Sequence, residues 1–277
     1  MATNSEGPLH GRRKLAIQLA LLAAVLLVLA WRSRPDGRLH VIFLETNGDA
    51  VLIQTPAGGY VLLDGGGDPA ALTAALGRRM PFWRRVLDAV VLTSPHSKHL
   101  PGQVAALARY RTGMALAPPA AKRSAILDEW QRLLAEQGAI VRTARAGQRL
   151  DLGGAALRVL AIGDGDESGL LLRLDYGATS IVFDQTGGEA DEAALAASSP
   201  PRATLLAFPW QRDPHADVVR ALRPQALVFT DGQSVDQPVE QTFVERAIGG
   251  AALYHEQLDG AIEWVSDGRQ AWIVTER

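Results

Sequence analysis

Three short aliphatic runs separated by glycine turns open the body of this 277-residue chain and leave few ways for it to fold. Residues 39–44 (LHVIFL), 50–54 (AVLIQ) and 60–63 (YVLL) read as strands. Asn47-Gly48 and Gly58-Gly59 supply the turn chemistry between them. Downstream the pattern changes. Residues 69–79 read as helix and Leu87–Thr93 (LDAVVLT) as a buried strand, with helical stretches near 100–110 and 122–137. Strands are expected at 155–162, 168–176, 179–184, 203–208, 225–230, 251–255, 260–265 and 270–275. Helices are expected near 188–197, 215–222 and 237–247. A meander followed by alternation implies one layered α/β domain with mixed sheets, without repeats and with no linker after residue 38.

Composition removes several classes of function. There is no cysteine, so disulfide scaffolds, thiolate zinc and thiol catalysis are excluded. Apolar residues make up 47%, which excludes a disordered chain. The 28 basic and 30 acidic side chains leave a net charge of −2, unlike the strongly basic footprint of a general nucleic-acid binder. The lysines are Lys14, Lys98 and Lys122 alone.

Ahead of this body, residues 1–14 form a polar tail ending in Arg12, Arg13 and Lys14. Leu15 to Trp31 is apolar except for Gln18 and would cover about 25 Å as a helix. Residues 15–31 are therefore expected to be a membrane anchor and 32–38 a linker. A cleaved signal peptide is the rival reading, disfavoured because Leu29-Ala30-Trp31 is followed at once by Arg32. Three basic residues on each side give the charge rule no vote, so orientation rests on the bulk of the chain following the anchor. The expectation is a single-pass protein with its 39–277 domain outside the cytoplasm.

Several segments, in order, resemble the soluble metallo-β-lactamase-like domain of the ComEC family of DNA-uptake (competence) membrane proteins. They are Leu39–Ile53 (LHVIFLETNGDAVLI), Leu62–Gly66 (LLDGG), Ser94-Pro95-His96-Ser97-Lys98-His99, Ser168–Gly177 (SGLLLRLDYG), Ala203–Pro209 (ATLLAFP), Arg223-Pro224 and Asp259-Gly260-Ala261-Ile262. The resemblance covers about residues 38–276. It implies a four-layer αββα sandwich with its active site at one edge, between strand-end loops. The family's many-helix channel is absent from this chain, so it cannot be the pore.

The fold's metal loop reads His-x-His-x-Asp-His, whose four ligands hold two metals and a hydroxide between them. Aligned to it, this chain places Ser94, His96, Lys98 and His99. Trp210 stands where a further histidine is expected, and the bridging carboxylate falls on Asp184 or, with a slip, on Thr186. A catalytic zinc needs about three protein ligands, and a charged lysine has no lone pair to offer. The resemblance therefore implies a degenerate centre and a binding or assembly module linked to DNA uptake. No cofactor is expected. The alternative is a phosphodiesterase or nuclease with a reduced zinc or manganese site at His96, His99 and Asp184.

The remaining expectations concern neighbours of this loop. Lys98 would fill the vacated space and supply charge to Asp64 or Asp184, so that Lys98→Asp alone destabilises the fold. Asp64 is expected to buttress the loop, and Gly65-Gly66-Gly67 to form a tight strand-to-helix turn. Ser94 or Ser97 with a histidine lacks the strained elbow and third orienting group of a nucleophile. Arg78, Arg79, Arg84 and Arg85 flank Met80-Pro81-Phe82-Trp83 and could hold phosphates and stack a base. A solvated helix end is the bland alternative. Trp210, Gln211 and Arg212 could line a groove or fill the old metal pocket. His10, His40, His215 and His255 receive no role. Expected partners are the membrane and, through the resemblance, DNA or a membrane channel protein; no small-molecule ligand is identified.

Overall fold

The computed structural model describes residues 14–24, 34–119, 123–163, 169–185, 189–210, 212–213, 215–230 and 247–277. The chain divides into Met1–Asp36 and Gly37–Arg277. In the first unit, residues 14–24 form an exposed helix, α1. At about 1.5 Å per residue it covers roughly 16 Å, against about 20 residues for a bilayer. Among the described residues no helix is long and apolar enough to cross a membrane. The expected single-pass anchor and the extracytoplasmic placement built on it are thus overturned; residues 25–31 lie outside the described ones.

The second unit begins with β1 (Leu39–Phe43), β2 (Ala50–Gln54), β3 (Tyr60–Asp64), α2 (Pro69–Arg79), β4 (Val86–Leu87) and β5 (Ala89–Val91). It continues with α3 (Leu100–Leu107), β6 (Arg111–Thr112), β7 (Met114–Ala117), α4 (Ala125–Glu136), β8 (Ile140–Thr143) and β9 (Arg149–Asp151). Then come β10 (Ala156–Ile162), β11 (Leu170–Tyr176), β12 (Thr179–Asp184), α5 (Glu189–Ala197), β13 (Leu205–Pro209), α6 (Asp217–Leu222) and β14 (Ala226–Thr230). The chain closes with β15 (Ala247–Ile248), β16 (Ala251–His255), α7 (Glu256–Asp259), β17 (Ile262–Ser266) and β18 (Ala271–Thr275). The helix expected near 237–247 falls almost wholly outside the described residues.

Among the described residues there are two eight-stranded sheets, ordered β18-β17-β1-β2-β3-β5-β7-β8 and β15-β16-β14-β13-β12-β11-β10-β9. Their inner faces share one core: Val41, Phe43, Val51, Ile53 and Leu63 from the first, Ile181, Phe183, Leu205 and Val228 from the second. Alternate residues turn outward under helices. Ile42, Leu52 and Leu62 pack with Leu72, Leu76 and Trp130, while Val182, Leu206 and Phe229 pack with Val218 and Leu222. Covering both faces of each sheet explains why the central strands are apolar throughout rather than alternating. The result is the expected αββα layering.

The expected strand over Leu87–Thr93 divides at Asp88, whose Oδ2 accepts from the Tyr60 N–H at 3.0 Å. The two residues before it join Arg111–Thr112 in a separate ribbon, and the three after it stay in the main sheet. In the first sheet β3, β5, β7 and β8 run parallel. In the second, β12, β13, β14 and β16 do so. The exit ends of these strands meet along one edge, where Asp64, Thr93, Asp184, Trp210 and His255 emerge.

Candidate functional site

Three loops make the first half of this edge, and backbone bonds lace them together. Asp49 N donates to Lys98 O (3.0 Å), Gly65 N to His99 O (2.7 Å), Gly66 N to Asp49 O (2.9 Å) and Gly102 N to Gly66 O (3.1 Å). The approach is close enough to demand glycine. A Cβ on Gly65 would stand 2.0 Å from Gln103 N, and one on Gly102 would stand 1.8 Å from Gly65 O. The triple glycine is thus a crossing point between two backbones.

Asp64 ends β3 in the left-handed region, with φ 56°, which aspartate tolerates better than most residues. Its carboxylate is buried and fully used: Oδ1 accepts from Thr93 N at 2.7 Å, and Oδ2 accepts from Thr93 Oγ1 at 2.5 Å. His99 Nδ1 lies 3.1 Å from the same Oδ2. Asp64 therefore clamps the loop after β5. His99 also occupies the N-cap of α3, yet its ring bonds no helix amide because it turns to the aspartate.

The Lys98 ammonium donates to Asn47 Oδ1 at 3.2 Å, and its carbonyl takes the Asp49 amide. Ser94 is fully buried, and its Oγ has no hydrogen-bond partner among the described residues. Ser97 is exposed, and His96 is half-buried, with its carbonyl accepting from His99 N and Leu100 N.

The second sheet supplies the facing half. Asp184 is buried at the end of β12, and Gln185 beyond it donates from Nε2 to Thr230 Oγ1 at 3.3 Å. Thr186 and Gln211 lie outside the described residues. Trp210 follows β13, its N–H held by Thr230 O at 3.0 Å, and Arg212 Nε stands 3.4 Å from Glu192 Oε1. The Trp210 ring covers His255, with centroids 4.8 Å apart and planes tilted 32°. His255 is buried, lies 6.5 Å from the Phe229 ring, and accepts the Gln257 N–H on Nδ1 at 3.1 Å. By sequence alone His255 carries no role. The available signal was its position as the last residue of an expected strand, since strand exits are where α/β sheets place ligands.

Beside His255 a cavity of about 360 Å³ opens between the halves, lined by Glu45, Thr46, Asn47, Asp68, Phe229 and Glu256 among others. Its lining carboxylates make it a poor seat for phosphate. Asp68 is partly occupied, because its Oδ1 caps α2 through Ala70 N (2.8 Å) and Ala71 N (3.0 Å).

The arginine cluster is elsewhere. Arg84 lies over the Tyr60 ring at 5.2 Å and 3.6 Å from Asp88, at the entry end of β3. That is about 13 Å from Asp64 along the strand. Arg85 donates to the Tyr110 hydroxyl at 3.3 Å, and Arg79 to Glu263 at 3.2 Å. Arg78 is exposed, as are Phe82 and Trp83, whose rings meet edge to face at 4.7 Å. Three of the four guanidiniums therefore already serve internal partners.

The chain is similar to the metallo-β-lactamase-fold protein YhfI of Bacillus subtilis, with a TM-score of 0.51 and 15% identity, over 72% of this chain and 88% of that one. It is equally similar to a diphosphatase of the PhnP family, with a TM-score of 0.51 and 18% identity, over 82% of this chain and 98% of the other. The chain has the metallo-β-lactamase fold. At such identities the likeness speaks for the fold alone. No family profile matches the chain, and no curated protein sequence does.

The fold implies a metal centre, and the donors test it. Among the described residues no group of three His, Asp or Glu side chains could hold a metal ion. Serine, lysine and tryptophan stand at three of the aligned ligand positions, and Trp210 spends its bulk on His255.

Proposed function

We propose that this chain is a non-catalytic binding or assembly module on the metallo-β-lactamase fold, similar to the ComEC soluble domain but with its dinuclear centre given up. Lys98 carries the reading. It stands between His96 and His99 at the aligned carboxylate position, and its ammonium is tied to Asn47 at 3.2 Å. A cation with three donors and no lone pair repels a dication where the fold needs an anionic ligand. The buried hydroxyl of Ser94 and the indole of Trp210 support the same reading from two further positions. A role beside DNA rests on the ordered sequence resemblance.

A second reading, a reduced metal hydrolase, is favoured by one observation. His99 and Asp184 are both buried at the strand exits of the same edge. Metal analysis of the purified full chain, paired with a cleavage assay on single- and double-stranded DNA, separates the two. Sub-stoichiometric zinc and manganese with no cleavage is the expected result. Near-stoichiometric metal, removed by chelator together with nuclease activity, would establish the hydrolase instead. A salt-dependent affinity for single-stranded DNA, weakened by replacing Arg84 and Arg85, would support the link to DNA.

A further inference from the structure

The geometry points to a peptide-docking edge at β8. We infer that this edge and the groove beside α4 take an extended peptide in which carboxylate and aliphatic side chains alternate. The inference goes beyond the strand-exit site and holds whether or not a metal binds there.

Among the described residues β8 is the last strand of its sheet, and all four of its residues are exposed, Ile140 at 61% and Val141 at 48%. Its parallel pairing with β7 uses alternate residues: Ile140 N donates to Gly113 O (2.9 Å) and Ala144 N to Ala117 O (2.7 Å). The backbone N–H and C=O groups of Val141 and Thr143 therefore point away from the sheet. An added strand would pair with those groups.

Next to this edge is a cavity of about 130 Å³, lined by Ala117, Pro118, Leu127, Trp130, Val141 and Arg142 among others. Gln131 and Thr143 also line it, and at this volume it has room for a single aliphatic side chain against Leu127 and Trp130. A strand edge beside a helix, with a side-chain pocket between them, is the geometry by which sheet edges recognise peptides.

Charge selects the occupant. Arg142, Arg145 and Arg149 are exposed and make no side-chain hydrogen bond or ion pair among the described residues. Residues 137–150 contain no acidic side chain. A second copy pairing through its own β8 would bring Arg142 close to its counterpart, and like charges across a strand pair repel. Carboxylates on a partner strand are attracted by the same residue. A nucleic acid could meet the arginines, but its sugar–phosphate chain offers no ladder for the outward amides.

The test is a fluorescence-anisotropy titration of the full chain with a labelled peptide of alternating glutamate and valine. Saturable binding is expected, weakened at least tenfold by Arg142→Glu and by lysine in place of glutamate in the peptide. Val141→Pro removes an amide that β7 does not use, so it should abolish docking and leave melting nearly unchanged. Should that variant fold poorly, methylating alternate amides of the peptide tests the same bonds with unaltered protein. Absent saturation, equal binding of the methylated peptide, or equal binding by Arg142→Glu overturns the inference. So does a dimer that protects the β8 amides, or displacement by oligothymidylate without sensitivity to methylation.

Discussion

Asp64 Oδ2 and His99 Nδ1 lie 3.1 Å apart with both side chains shut off from solvent. The pair joins the exit of β3 to the start of α3, and Thr93 supplies two further hydrogen bonds to the same carboxylate. Asp64→Asn keeps a residue that tolerates the left-handed backbone, removes the charge and turns one of the two acceptor oxygens into a donor amide. The expected cost is about 2–3 kcal/mol. A lower urea midpoint at unchanged slope would report it, and a shift below about 0.5 kcal/mol would show that the clamp is not charge-assisted.

Gly102→Ala places a methyl 1.8 Å from Gly65 O, and that oxygen is backbone. No rotamer relieves the clash, so α3 must move away from the β3 exit. A loss of more than about 3 kcal/mol is expected, seen as poor soluble yield or a strongly lowered Tm. Gly77→Ala is the control, since a Cβ there meets nothing within 4 Å. In a helix it should be neutral or stabilising by up to about 1 kcal/mol.

Trp210 and His255 should be energetically coupled. Their rings lie 4.8 Å apart between centroids, with planes tilted 32°. A double-mutant cycle with Trp210→Ala and His255→Ala is expected to return an interaction of about 0.5–1.5 kcal/mol. Additive losses in chemical denaturation would mean that the ring merely fills space.

Tyr60 makes stability depend on alkaline pH. Burial raises its phenol above the ordinary 10.0, and the Arg84 guanidinium pulls it part of the way back. The folded chain then holds this proton more tightly than the unfolded one. Its contribution is complete below pH about 10 and falls as pH rises through the folded value. Tyr60→Phe should flatten the alkaline limb of a plot of unfolding midpoint against pH. Arg84→Gln should move tyrosinate absorbance to higher pH; an unmoved titration would rule out the guanidinium's influence.

The elements whose chemistry is local were legible in the chain itself. β2, α2 and β12 lie on their expected bounds because glycine turns and aliphatic runs delimit them. β7 and β8 were not expected. Met114–Ala117 is half alanine, a weak strand former, and becomes a strand through parallel pairing with β5 and β8. The N-terminal run was legible as apolar, but a described helix of residues 14–24 does not make a span.

The site divides in the same way. The serine at 94, the lysine at 98, the turn glycines and the acid at 64 are read from residue types in order along the chain. What only the tertiary structure decided is which groups meet. The Lys98 ammonium meets Asn47, 51 residues away in sequence. His255 comes under Trp210 because β13, β14 and β16 run parallel and end together. Arg84 and Arg85 go to tyrosines at the opposite end of the strands. Residue chemistry and periodicity are local properties, readable one segment at a time. Convergence depends on which strands pair, and that is settled by burying both sheets at once.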